Sequence, residues 1–185
     1  MEFPQRLKTP RLLLARLEGS DFEDYLRRCG GALFSEGHPS LHDEPAIRFR
    51  AHVDHWQRHG YGWWAVRDPQ TRAYRGCGGL ESAVLDGKRT TLVTCDGWDR
   101  DYAAELVRIA VAQGFVGLDV QEIVAAIAPP PPAAARVLER AGFIRERAGA
   151  ASRDAPAIYR LTARSWCASP RTRDSGRAPA AIQTV

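Results

Sequence analysis

The sequence predicts one α/β domain: a mixed, mostly antiparallel sheet of six or seven strands flanked by about four helices. Three observations carry this expectation. Strand and helix patterns alternate from the start, with Arg11–Leu17 apolar and extended in character and Ser20–Cys29 helical. Residues 62–94 then form three β-rich runs separated by two tight turns, an antiparallel meander. Further on, the nearly continuous apolar run Glu122–Ile127 reads as a strand covered on both faces, and it follows a helix pattern over Tyr102–Phe115.

Taken in order, Ser20-Asp21-Phe22-Glu23 reads as a capping box that opens the first helix, and Gly30-Gly31 ends it. A second helix is expected from Glu44 to His59, with Ile47, Val53 and Trp56 near one face and Gly60 as its stop. Gly62–Arg67 is a strand, Asp68-Pro69-Gln70-Thr71 its turn, and Tyr74–Leu85 the returning strand. Asp86-Gly87 turns that strand into Arg89–Thr94. A fourth helix over Ala133–Arg140 stops at Gly142, and Ile144–Arg147 with Ala157–Thr162 forms the last strand pair.

A chain of 185 residues with 44% hydrophobic content is long enough to bury one substantial core. The expected domain is residues 1–166; residues 167–185, rich in Ser, Pro, Arg and Ala, lack periodicity and are expected to be disordered. A net charge of +4 favours an anionic ligand but is too small to argue for nucleic acid. Cys29, Cys77, Cys95 and Cys167 show no C-x-x-C spacing and no signal peptide precedes them, which predicts reduced thiols in the cytoplasm. No apolar run reaches membrane-spanning length, so no membrane partner is expected.

The stretch Val93 to Glu105 runs from strand through a polar turn into helix, and the first amides of such a helix offer an anion a seat. All five histidines lie between His38 and His59, with His52, His55 and His59 on one helical face. That face reads as a solvated polar face or as the wall of an acceptor cleft, and no ligand spacing supports a metal site. Adjacent Trp63 and Trp64 point to opposite faces of their strand, so either one enters the core and the other is left for a cleft, or both are packing aromatics.

Trp98-Asp99-Arg100-Asp101-Tyr102-Ala103-Ala104-Glu105, after Val93-Thr94-Cys95, resembles the Trp-Gly-Lys-Gly-Tyr-Ala-Thr-Glu acetyl-CoA motif of the GNAT superfamily of N-acetyltransferases. The nearest branch is that of the ribosomal-protein N-terminal acetyltransferases and their small-molecule-modifying relatives. Arg136-Val137-Leu138-Glu139-Arg140-Ala141-Gly142-Phe143 resembles that branch's Arg-Val-Leu-Glu-Lys-x-Gly-Phe segment, and Thr9-Pro10-Arg11-Leu12-Leu13-Leu14 its entry strand. Departures fall on the pocket: Asp99 and Asp101 replace two glycines, and Pro131 and Ala134 replace an Asn-x-x-Ser pattern.

The resemblance implies a sheet splayed between the Arg89–Thr94 and Glu122–Ala128 strands, acetyl-CoA as co-substrate, and an acceptor amine on a small molecule or a peptide N-terminus. It leaves a homodimer open. The implied cofactor contacts are Val93, Thr94, Cys95, Arg100, Asp101, Tyr102, Ala103 and Ala104. Trp63, Trp64 and Glu81 would line the acceptor cleft. Glu81 reads either as the general base or as an exposed strand carboxylate, and Tyr102 either as the acid that protonates the leaving thiolate or as a packing residue. Asp101 at a helix start is expected to cap its amides and to repel a diphosphate. Two further readings stay open: a GNAT-fold binding protein that has lost the cofactor, and an enzyme using a different acyl carrier.

Overall fold

A short hairpin sets the start of the sheet. Thr9 closes it: its hydroxyl oxygen accepts the N–H groups of Arg11 (3.2 Å) and Leu12 (2.9 Å), turning β1 (Arg6–Lys8) into β2 (Leu13–Arg16). A computed structural model describes residues 3–29, 45–97, 101–127, 132–146, 156–168 and 183–184. The elements after β2 are α1 (Phe22–Cys29), α2 (Pro45–His59), β3 (Trp63–Arg67), β4 (Tyr74–Leu85) and β5 (Lys88–Cys95). They continue with α3 (Ala103–Ala112), β6 (Glu122–Ile127), α4 (Pro132–Arg140), β7 (Ile144–Arg145), β8 (Ala157–Thr162), α5 (Ala163–Ala168) and β9 (Gln183–Thr184).

All nine described strands join one sheet in the order β7-β8-β6-β5-β4-β3-β2-β1-β9. Only β5 and β6 are parallel. The expected α/β class and mostly antiparallel sheet hold; β1, β9 and α5 are additions to the predicted elements. The predicted disorder of residues 167–185 concerns a stretch that lies mostly outside the described residues, of which Gln183–Thr184 pairs with β1. Gly30-Gly31 lies outside them too. No helix among the described residues is long and apolar enough to cross a membrane.

The turns follow their chemistry. Asp68 accepts the N–H groups of Gln70 (2.9 Å) and Thr71 (2.8 Å) in the β3–β4 hairpin. Asp86 and Gly87, both at positive φ (50° and 75°), make the tight β4–β5 turn that Asp-Gly predicts. The first helix starts differently from expectation. Asp21, not Glu23, reaches back, accepting the Glu18 N–H at 2.9 Å and Arg67 Nη2 at 2.5 Å, because a short 3-10 turn over Gly19–Asp21 precedes α1.

The register assigns each side chain to a sheet face. Trp63, Gly79 and Thr94 lie side by side across β3, β4 and β5, and Glu81 pairs with Leu92 on the same face. This face carries α1 and α2, whose Tyr25 and Phe49 pack with Trp63, Ala65 and Cys77. The opposite face holds the larger core, where Trp64, Leu80, Val93 and Ile123 meet Leu106, Val107 and Ala110 of α3 and Leu138 of α4. On α2 the inward residues are Phe49, His55 and Trp56, whereas the expected Ile47 is 56% exposed. Phe49 and Trp56 are seven residues apart, and that stripe outweighs the single apolar residue at 47.

Glycine makes the centre of the sheet possible. A Cβ on Gly79 would stand 2.4 Å from the Gly62 carbonyl oxygen and 2.9 Å from Trp63 Cα, both backbone atoms that cannot step aside. Gly79→Ala is therefore expected to cost about 2 kcal/mol or more, read as a melting temperature lower by roughly 5 °C. Gly19→Ala, whose Cβ meets nothing within 4 Å, serves as the near-neutral control.

Candidate functional site

Parallel pairing of β5 with β6 is confined to Thr91↔Ile123 and Leu92↔Val124. Beyond those two pairs the strands diverge, so Val93–Cys95 and Ala125–Ile127 border a wedge, as the sequence predicts. Asp96 N–H is bonded to Cys77 O at 3.0 Å on the β4 side, so alternation turns the Cys95 N–H toward the wedge. The side chains of Val93 and Cys95 point into the core. These two positions therefore present backbone, not side chain, to anything lying in the wedge.

The helix that follows β5 begins at Ala103, with Tyr102 as its cap residue. Ala103 is buried and Ala104 exposed; Arg100 lies outside the described residues. Asp101 does not cap the helix as expected. Its carboxylate pairs with Arg75 of β4, and Arg11 Nη2 reaches its backbone carbonyl at 3.5 Å. A salt bridge to a guanidinium satisfies the carboxylate better than helix amides alone, and it leaves the start of α3 open. Ala134 packs into the core, and Pro131 lies outside the described residues.

Tyr102 is fully buried. Its hydroxyl donates to Asp96 and abuts Gly76, where a Cβ would overlap it. Burial, with Asp96 beside it, holds the phenol protonated far above the usual range. Its proton is therefore committed to a carboxylate on the β4 side of the loop, which makes Tyr102 a brace for the β5–α3 connection.

On the α2 face the picture is different. Glu81 is only 8% exposed, so it is no surface carboxylate, and its Oε2 lies 3.4 Å from His52 Nδ1. The His52 ring stacks on Trp63 with centroids 3.7 Å apart. Trp63 is thus the cleft tryptophan. Trp64, expected as a second cleft residue, is fully buried in the opposite core and donates its indole N–H to Pro4 O at 3.0 Å. Strand alternation placed the two on opposite faces; only the packing tells which face carries Glu81.

His55 was visible in the sequence as part of a polar helical face, but its role was not. β3 pairs with β4 only as far as Trp63↔Gly79, whereas β4 runs on to Leu85. His55 covers the open edge: its Nε2 accepts the Ser82 N–H at 2.8 Å and its Nδ1 donates to Tyr61 O at 2.8 Å. Only the neutral ring can make both at once, because the Ser82 bond needs the lone pair on Nε2. His52 and His55 face one buried carboxylate, and among the described residues no His, Cys, Asp and Glu group suits a metal ion. A surface depression of about 850 Å³ runs along the outer side of α2 past Ile47, Arg50, Asp54 and Arg58. It contains neither Glu81 nor the wedge, and the chemistry gathers at those two.

Residues 11–144 match the family described as acetyltransferase (GNAT) domain. Among solved structures, an acetyltransferase of Agrobacterium tumefaciens str. C58 is 24% identical, with 84% of this chain and 93% of that one covered at a TM-score of 0.67. The ribosomal-protein-S5-alanine acetyltransferase of Vibrio fischeri is 15% identical over 87% of this chain and 98% of that one, TM-score 0.62. A chimera of the spermidine N-acetyltransferase of Vibrio cholerae with hSSAT is 15% identical over 86% and 99%, TM-score 0.61. At these identities the likeness shows the fold, and the two named substrates differ.

Burial lowers the pKa of His55, outweighing the Tyr61 carbonyl and Glu81, which favour the charged ring. Below the ordinary value of 6.5 the unfolded chain then binds more protons than the folded one, so stability present above that pH is lost as the pH falls through it. Urea unfolding between pH 7.5 and 5.5 is expected to show this loss in the wild type. His55→Gln, whose amide can make both bonds without titrating, flattens it; equal slopes would mean that His55 is not the group responsible.

Proposed function

Because the chain belongs to the GNAT acetyltransferase family, we propose that it is an N-acetyltransferase, moving the acetyl group of acetyl-CoA onto the amine of a small molecule or of a protein N-terminus. The observation that carries this reading is the wedge: pairing between β5 and β6 stops after two residues, beside an uncapped helix start. Acetyl-CoA supplies an activated thioester when bound. The residues present fit it, since a wedge edged by backbone amides and a helix start can take a pantetheine-like chain and a diphosphate without any particular side chain.

The chain's own groups divide the work. The Cys95 N–H is placed to donate to the carbonyl oxygen on which negative charge develops during attack. The amides of Tyr102, Ala103 and Ala104 at the helix start would hold the phosphates. On the acceptor side Glu81 takes the proton that the acceptor ammonium must lose before its nitrogen can attack, and His52, stacked on Trp63, holds that carboxylate in place. Tyr102 keeps the loop in shape instead of serving as the acid. The exposed thiol of Cys167 suits a reducing cytoplasm as the working compartment.

A cofactor-free binding protein is the alternative that Asp99, Asp101, Pro131 and Ala134 suggest. The Arg75 salt bridge weakens that alternative, because the charge at Asp101 is balanced on the spot.

Two measurements test the reading. Calorimetric titration is expected to detect acetyl-CoA binding, with Arg75→Ala weakening it several-fold more than Asp101→Asn, since the first change leaves a bare carboxylate beside the phosphates. Steady-state assays over a panel of primary amines are expected to show Glu81→Gln lowering kcat by about 10²-fold or more, with an unchanged melting curve. Unaltered turnover in that variant would remove Glu81 from the mechanism.

A further inference from the structure

Among the described residues, two buried polar atoms on the acceptor face have no hydrogen-bond partner: Trp63 Nε1 and Thr94 Oγ1. Their situation contrasts with that of the neighbouring indoles. Trp56 donates to Trp63 O at 2.6 Å and Trp64 to Pro4 O at 3.0 Å. Buried N–H and O–H groups are nearly always satisfied, because leaving one dry forfeits its bond to water without replacement. Two orphans in one row of one sheet call for a common explanation.

Their placement supplies one. Trp63 and Thr94 flank Gly79 in register, so no side chain stands between them, and Glu81 lies one step along on the same strand as Gly79 and on the same face. Adjacent strands are about 4.8 Å apart, which puts the Trp63 and Thr94 backbones roughly 10 Å from each other with Gly79 in the middle. Thr94 also sits where β5 leaves β6. An indole N–H can only donate, a hydroxyl can donate, and the ionised Glu81 carboxylate can only accept. The face therefore asks for a ligand with a donor at one end and an accepting oxygen close by.

We propose that Trp63 Nε1 and Thr94 Oγ1 form a subsite for an oxygen of the acyl acceptor, so that the enzyme selects primary amines bearing a carbonyl or hydroxyl one or two carbons from the nitrogen over polyamines. This rests on the acetyl-transfer reading for the amine's place at Glu81, and it goes further in naming the acceptor class and the two side chains that choose it. Such an amine meets Glu81 with its N–H groups and the two donors with its oxygen. A polyamine brings only further donors and leaves both orphans unmet.

The test uses glycinamide against 1,2-diaminoethane, similar in size but lacking the carbonyl oxygen, on the full chain. Wild type is expected to prefer glycinamide by about 10–100-fold, in calorimetric binding and in kcat/KM with acetyl-CoA. Thr94→Val and Trp63→Phe, which keep shape and ring stacking but lose the donor, bring that ratio toward one. In the ligand-free protein Thr94→Val raises the melting temperature by about 2–4 °C, because a methyl needs no partner. A lower melting temperature in that variant overturns the proposal, since the hydroxyl then has a partner such as a buried water. So does a wild type that binds neither amine, or a preference that both variants retain. If glycinamide binds through Trp63 and Thr94 while acetyl-CoA does not bind, acetyl transfer falls and the subsite stands; if acetyl-CoA is used equally with both amines, the reverse holds.

Discussion

The proposed site depends on β5 and β6 parting company after Leu92 and Val124. Backbone groups left without a ladder partner are expensive in a protein interior, so a strand pair that opens partway has to be held open by something else. The holding is done on both sides of the wedge. β5 stays paired with β4 all the way to Cys95↔Gly78, and β6 is paired with β8 along its whole length. At the closed end, α3 and the turn behind it pack across both strands, with Gly114 lying against Ile123 and Leu80. Each strand is thus anchored along its outer edge, which leaves the inner edges, the Cys95 N–H among them, facing the gap.

The acceptor side is built by a substitution of a different kind. Where β3 ends, a helix side chain takes over the hydrogen bonding of a strand: His55 receives the Ser82 N–H that a longer β3 would have taken. Stopping β3 early brings α2 down onto β4, and this is what sets His52 against Glu81. A carboxylate buried beside an imidazole gives fold stability little net gain, because desolvating the charge offsets the attraction. A hydrophobic pair would pack there at no such cost. On the proposed reading, the burial of Glu81 serves a proton to be moved, not a fold to be held.

Local chemistry was legible in the sequence, and long-range parity was not. Asp86-Gly87 announced its turn because few residues tolerate positive φ, and Glu122–Ile127 announced a covered strand because no polar residue interrupts it. Gly60 stopped α2 as expected, at φ 73°. On α2 Val53 and Trp56 pack inward as expected and Ile47 does not, since Ile47 and Phe49 are equally apolar in sequence and only packing against Phe22 and Tyr25 selects Phe49. Likewise alternation separates Trp63 from Trp64 without saying which one shares a face with Glu81. The contacts His52–Glu81 and Arg75–Asp101 span 29 and 26 residues, and no spacing rule reaches that far.

Asp101 shows how such a contact can reverse a conclusion drawn from sequence. Replacing a glycine by a carboxylate at a diphosphate site suggests repulsion of about 1 kcal/mol in water at 4 Å, and about 4 kcal/mol at an effective dielectric of 20. That figure assumes the carboxylate is alone. Arg75 sits directly on it, so a phosphate meets a neutral pair whose cationic half can turn outward, and the long-range repulsion falls away. The Asp101 side chain is also 61% exposed, so solvent screens what remains of its charge. A glycine loop recognises phosphate by letting backbone come close; an Asp–Arg pair in the same place can recognise it by offering a guanidinium, with two N–H groups in one plane matched to two oxygens. The change of residue type at this position therefore alters how an anion is held without closing the site to it.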